Sequence, residues 1–285
     1  PVIEEMVRAK LVEAGIPADV KISQNIIAHE VQRGVKVFDS VRNIIAVSSG
    51  KGGVGKSTVS ANLALALQQE GAKVGLLDAD VYGPSQPTML GITDKPYSVD
   101  GKTLEPMVAH GLQVASVGVL IDPDQPMIWR GPLAVSALQQ LLKQTNWKDL
   151  DYLIVDMPPG TGDVPLTVFQ SLPVDGIIVV ASPQEQVAMI VEKSITMAKL
   201  MQVPVLALVE NMSYFKCPDC GKVHHIFGKS HAEEIAKKYG IGTYCQLPID
   251  PDLATAVDAG EIEFVMEDGL DPIVEMLKKR TAEEK

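Results

Sequence analysis

The densest chemistry in the chain lies in one unbroken run, Gly50, Lys51, Gly52, Gly53, Val54, Gly55, Lys56, Ser57 and Thr58. A triphosphate presents crowded anionic oxygens. A loop that wraps it needs inward-facing backbone N–H groups with no Cβ atoms in their way, which the glycines supply. The spacing is that of a phosphate loop: Lys56 reaches the β/γ-phosphates, the Ser57 hydroxyl faces Mg²⁺, and Thr58 adds a bond to the phosphates. Lys51 exceeds what such a loop requires. It is either a solvated lysine or a cation directed at phosphates from elsewhere.

Carboxylates follow at two further places. Asp78 and Asp80 end the apolar run Val74–Leu77, and Asp156 ends Tyr152–Val155 ahead of Pro158, Pro159, Gly160, Thr161, Gly162 and Asp163. Carboxylates at the C-terminal ends of parallel strands stand where doubly wound sheets bind ligands. One can hold the waters of Mg²⁺ while another orients an attacking water, since phosphoryl transfer is mostly positioning and charge compensation. The glycines after Asp156 allow that loop to move with the γ-phosphate.

Soft-metal chemistry appears once, at Cys217-Pro218-Asp219-Cys220. Thiolates select zinc, copper(I) and iron–sulfur clusters. Two of them fall short of a four-coordinate site, and a two-fold axis beside the turn would double them. A thioredoxin-like redox pair and a zinc site completed by His224 or His225 are alternatives at this stage. Cys245 sits in a strand-like run and reads as a small buried residue.

The elements that must carry these groups alternate. Ile44–Val47 reads as a strand and Ser60–Gln69 as a helix closed by Gly71. Further strands are expected at Leu112–Val119, Ile177–Val180, Val205–Val209 and Thr243–Leu247, and helices at Leu133–Gln144, Glu185–Met201 and Asp271–Glu284. That alternation predicts an α/β fold, a doubly wound, mostly parallel sheet with helices on both faces in three layers. Residues 1–40 hold a helix-like stretch, Ile3–Glu13, and a possible strand, Val20–Ser23. They are expected to be a short N-terminal segment, the remnant of a truncated domain or a piece packed on the main one, ahead of a nucleotide domain over 41–285. At 285 residues and 46% hydrophobic the chain can bury a full core. Its formal charge of −11 offers no footprint for nucleic acid. No run approaches the ~20 apolar residues of a membrane span and no signal-peptide pattern opens the chain, so a cytoplasmic protein without a membrane partner is expected.

The loop GKGGVGKST, with its early lysine, resembles the deviant Walker A loop of the dimerising ATPases that include MinD and ParA. Together with LLDADVYGPSQP, IVDMPPGTGD, VENMSYF and CPDCG…HHIFG, it makes residues from about Val41 to Pro251 similar to the Mrp/ApbC family. The resemblance implies a P-loop ATPase that forms a homodimer, binds a [4Fe–4S] cluster between its subunits and delivers it to apo iron–sulfur recipient proteins. It implies that Lys51 crosses to the partner's nucleotide, that Asp80 positions the attacking water beside Lys51 and Lys56, and that Asp78 and Asp156 serve the magnesium directly or through water. Asn211 would read the adenine, with Pro248–Pro251 near the base, and Cys217 and Cys220 would hold the cluster, with zinc a substitute in aerobic preparations. The alternative is a MinD/ParA-like positioning ATPase with structural zinc at the CPDC turn; a dethiobiotin-synthase-type ligase ranks below both.

Overall fold

Strands that are apolar at nearly every position need cover on both faces. In the computed structural model, which describes residues 2–14, 40–119, 131–160, 162–265 and 268–281, four such strands form the middle of one sheet. They are β1 (Val41–Ser49), β2 (Val74–Asp78), β5 (Leu150–Asp156) and β6 (Gly176–Ala181). β3 (Met107–Ala109) and β4 (Leu112–Ser116) extend one side, β7 (Val205–Lys216) and β9 (Thr243–Pro248) the other. β8 (Val223–His224) forms a hairpin with the far end of β7. The order is β3-β4-β2-β5-β1-β6-β7, with β9 also on β7. Among the described residues only β3 on β4 and β8 on β7 run antiparallel.

The period of two along each strand sorts the core into two layers. Ile44 and Ala46 face one layer with Leu153, Val155 and Val179. It is covered by α4 (Gly131–Gln144), α5 (Asp163–Ser171), α6 (Glu185–Leu200) and α7 (Ala232–Tyr239). Ile45 and Val47 face the other layer with Leu76, Ile154 and Ile178, beneath α2 (Lys56–Gln69) and α9 (Asp271–Thr281). The expected three-layer, mostly parallel architecture is the one observed. Register then does chemical work: Asp78 pairs with Asp156 across β2 and β5, and Asp156 with Val47 of β1. Both carboxylates therefore emerge at one sheet edge beside the phosphate loop.

Several expected boundaries shift for local reasons. α2 begins at Lys56 rather than Ser60, because Gly55 at φ 76° turns the chain straight into the helix. β4 stops at Ser116, not Val119. The Ser116 hydroxyl accepts from Gly118 N at 3.0 Å and tightens Val117–Val119 into a 3₁₀ turn. β7 runs on to Lys216, well past Val209, with a break in register between Glu210 and Tyr214. α9 ends at Thr281. The N-terminal helix, α1, spans Val2–Glu13, while the strand expected at Val20–Ser23 and Thr161 lie outside the described residues. α8 (Pro251–Ala259) was not expected; Asp250 caps it by accepting from Asp252 N and Leu253 N. Among the described residues no helix is long and apolar enough to cross a membrane.

Candidate nucleotide site and cysteine turn

The phosphate loop bridges β1 and α2, with Gly53 and Gly55 both at positive φ, 78° and 76°. It delivers its N–H groups and the N-terminus of α2 to a cleft of about 430 Å³. Gly52, Gly53, Gly55, Lys56, Ser57, Thr58 and Asp80 line that cleft, with Val257 and Asp258 of α8 on the opposite wall. A larger groove of about 700 Å³ lies at the β3 edge. Two of its polar side chains are engaged with their own neighbours: His110 bonds Leu90 O and Glu263, and Glu105 accepts from Asn146 and Lys148. The smaller cleft, where unlike charges converge, is the chemical one.

Asp156 is fully buried and is the hub of that cleft. Its Oδ1 takes the Lys56 ammonium and the Ser60 hydroxyl, the latter at 3.1 Å; its Oδ2 takes Gln86 Nε2 at 2.8 Å. The Lys56 ammonium also reaches Ser57 Oγ at 3.2 Å. Asp78 lies one strand away and accepts from Ser116 Oγ, Ser85 N, Gln86 N and Asp80 N at 3.0–3.2 Å. Its bonds hold the segment that follows β2 rather than reach into the cleft. Burial, and then the charge of Asp156, push its carboxyl up to about 7 against the pull of those donors. Asp80 stands on the cleft wall. Burial raises its pKa above the usual carboxylate range, with Lys56 opposing.

Other sequence-marked residues sit further out. Lys51 is exposed and its carbonyl accepts from Ser49 Oγ at 3.0 Å. Asn211 lies against the loop itself: its Nδ2 donates to Val54 O at 3.0 Å, and its Oδ1 accepts from Met212 N at 2.9 Å. Pro248 closes β9 and Pro251 opens α8, whose far end, not its start, lines the cleft. No role was expected for Gln86. It begins α3 (Gln86–Met89); its type does not mark it, and its place in the LLDADVYGPSQP segment, a few residues after Asp78 and Asp80, was the available signal.

β7 carries the fold from this site to the cysteines. Next to Asn211, buried Glu210 accepts from Ser213 Oγ at 2.6 Å on the outgoing leg and from His231 N at 3.0 Å on the returning leg. Between them Phe215 pairs with His224 and Lys216 with Val223. The turn closes with Cys217 N donating to Lys222 O at 3.0 Å and Gly221 N to Cys217 O at 2.8 Å. Cys217 is half-buried and Cys220 exposed. Backbone N–H groups of Cys220 and Asp219 hold the Cys217 thiol below its usual range, which favours the metal-binding thiolate. His225 Nδ1 lies 3.2 Å from Ser213 O, and no group of three or more His, Cys, Asp or Glu gathers as a metal site among the described residues. Cys245 is buried in the core beside Val209, as expected.

Comparisons with known proteins bear on the family and the fold. Residues 40–283 match the family "ParA: NUBPL iron-transfer P-loop NTPase". An "Iron-sulfur cluster carrier protein" from Escherichia coli K12 is 50% identical over 243 residues, covering 85% of this chain and 66% of the relative. The chain thus spans slightly under two thirds of that relative's length. A nucleotide-binding protein from Archaeoglobus fulgidus, solved in complex with ADP, superposes with a TM-score of 0.71 at 41% identity, covering 82% of this chain and 92% of that one. The septum site-determining protein MinD from Pyrococcus horikoshii, solved with Mg-ADP, gives 0.60 at 19% identity over 84% and 95% of the two chains, a likeness of fold alone. On its sequence, its sheet and its phosphate loop, the chain belongs to the Mrp/ApbC/NUBPL family of MinD/ParA-like P-loop NTPases.

Proposed function

We propose that the protein is an ATP-dependent iron–sulfur cluster carrier, in which two copies hold a [4Fe–4S] cluster between their Cys217 and Cys220 thiolates and hand it to apo-proteins. The observation that carries this reading is β7. One strand touches the phosphate loop through Asn211 and, six residues later, presents two neighbouring thiols on an exposed turn. Two thiols per chain suit a cluster shared across a two-fold axis.

The residues of the cleft fit magnesium, which prefers one or two carboxylates plus phosphates and water. Asp156 and the Ser57 hydroxyl would hold the ion, and buried Gln86 Oε1 beside them has no hydrogen-bond partner. The metal would neutralise charge on the phosphates. Lys56 exchanges Asp156 for the β/γ-phosphates, and the loop N–H groups hold the oxygens in place. Asp80, its basicity raised by burial, orients the attacking water. Lys51, exposed at the surface, would compensate charge on the partner copy's nucleotide.

Anaerobic reconstitution with iron and sulfide tests this reading. The wild type should gain an absorption band near ~400 nm, with about four irons per dimer, and Cys217→Ser should lose both. Colourless protein with stoichiometric zinc would instead point to a structural metal and a positioning ATPase.

A further inference from the structure

Gln86 touches both the phosphate loop and the acid at the end of β5 without belonging to either motif, as does the Ser60 hydroxyl through Lys56 O and Asp156 Oδ1. Its Nε2 donates to Ser57 O at 2.9 Å and to Asp156 Oδ2 at 2.8 Å. A carbonyl and a carboxylate are both acceptors, so both amide hydrogens are spent and the orientation of the amide is fixed by its neighbours. Its backbone N–H donates to Asp78 Oδ2 at 3.2 Å, which ties the same residue to the second buried acid. The side chain is completely buried, yet its Oε1 has no hydrogen-bond partner. Burying an amide oxygen without a donor costs free energy that an apolar side chain of the same size would avoid. Covalent geometry keeps that oxygen about 2.3 Å from the nitrogen that bridges Ser57 and Asp156. The acceptor is therefore held beside the two residues that would hold the cation.

We propose that Gln86 is a positioning residue for magnesium, fixing Ser57 and Asp156 through its amide hydrogens and accepting a hydrogen bond from a metal-bound water at Oε1. The inference rests on the nucleotide reading of the cleft and adds a residue that the phosphate-loop and carboxylate motifs do not contain. Through Nε2 it fixes the Ser57 backbone, and so the direction of its hydroxyl, and it occupies one oxygen of Asp156. The other oxygen, which also accepts from the Ser60 hydroxyl, can turn to the cation once Lys56 has moved to phosphate. A water on magnesium is a strong donor, and Oε1 is an acceptor with no competing donor.

The test separates metal from nucleotide. Affinity for a fluorescent ADP is measured with Mg²⁺ and with EDTA, for wild type, Gln86→Met, which keeps the volume, and Gln86→Asn, which keeps the amide but withdraws it. Thermal unfolding is recorded alongside. The expected result is an unchanged EDTA affinity with a loss of about tenfold or more in the enhancement by Mg²⁺, the scale of outer partners at metal sites. Mn²⁺ binding followed by electron paramagnetic resonance in the presence of ADP should weaken by the same factor. Equal losses with Mg²⁺ and EDTA, or variants that fail to fold, would show that Gln86 serves structure and would overturn the proposal. An unchanged Mg²⁺ enhancement would overturn it too. A wild type that binds no ADP in either buffer would instead remove the nucleotide reading beneath it.

Discussion

Gly55→Ala is the sharpest perturbation of the contact between the phosphate loop and β7. Gly55 sits at φ 76°, and a Cβ built there would lie 2.2 Å from Asn211 Nδ2. Two costs follow. The left-handed backbone penalises an L side chain by about 1–2 kcal/mol. Displacing Asn211 loses its bond to Val54 O, worth about 1 kcal/mol. The sum is about 2–3 kcal/mol, or roughly 4–12 °C in the unfolding midpoint of a domain this size. In an Asn211→Ala background the clash and the bond are already gone, so only the backbone part remains and the same substitution should cost about 1–2 kcal/mol. The difference, about 1 kcal/mol, is the coupling energy that a double-mutant cycle in urea reads directly. A cost for Gly55→Ala that is identical in both backgrounds would refute the claimed contact, and a neutral Gly55→Ala would refute the strain as well.

Three other outcomes are expected. Burial pushes the Asp78 carboxyl up to about 7, well above the ordinary carboxylate range, so its contribution to stability is present below about pH 4 and is lost as pH rises through 7, at most about 4 kcal/mol. A ¹³C carboxyl titration should place its midpoint near 7, whereas a midpoint below 5 would mean that its four donors outweigh burial. Lys56→Met should abolish ADP binding and, by leaving Asp156 buried without its cation, destabilise the protein by about 3 kcal/mol in urea; unchanged stability would show the pair to be energetically neutral. Glu210→Gln cannot accept from both Ser213 and His231, so about 1–2 kcal/mol should be lost. Proteolysis between residues 214 and 230 should quicken, and an unaltered cleavage rate would dismiss Glu210 as the anchor of that excursion.

Much of the machinery was legible because it is written in local patterns. Apolar runs ending in carboxylates gave β2 and β5, and glycine spacing gave the phosphate loop. What escaped depends on register and long-range contact. Gln86 acquires its role only because β2 and β5 lie side by side and bring α3 over Ser57. The placement of Asn211 under the loop requires β7 to continue past Val209, where Met212 takes a left-handed φ of 55° that no periodicity announces. α8 is short and amphipathic only in context, with none of its residues fully buried, so its part in walling the cleft was invisible. The early start of α2 was hidden for a different reason: its first turn is polar because that turn is the site.

On the proposed function, the pairing of Lys56 with Asp156 makes the cleft a coincidence detector. Phosphate arriving without a metal would draw the lysine away and strand a buried carboxylate, while a metal arriving without phosphate would strand a buried ammonium. Either half-step leaves a charge uncompensated in the interior, at a cost of several kcal/mol. Only the two ligands together permit a clean exchange of partners. By linkage each must then strengthen the other's binding by the same factor. A site wired in this way discriminates against free phosphate and free cation alike before any contact with the base is made.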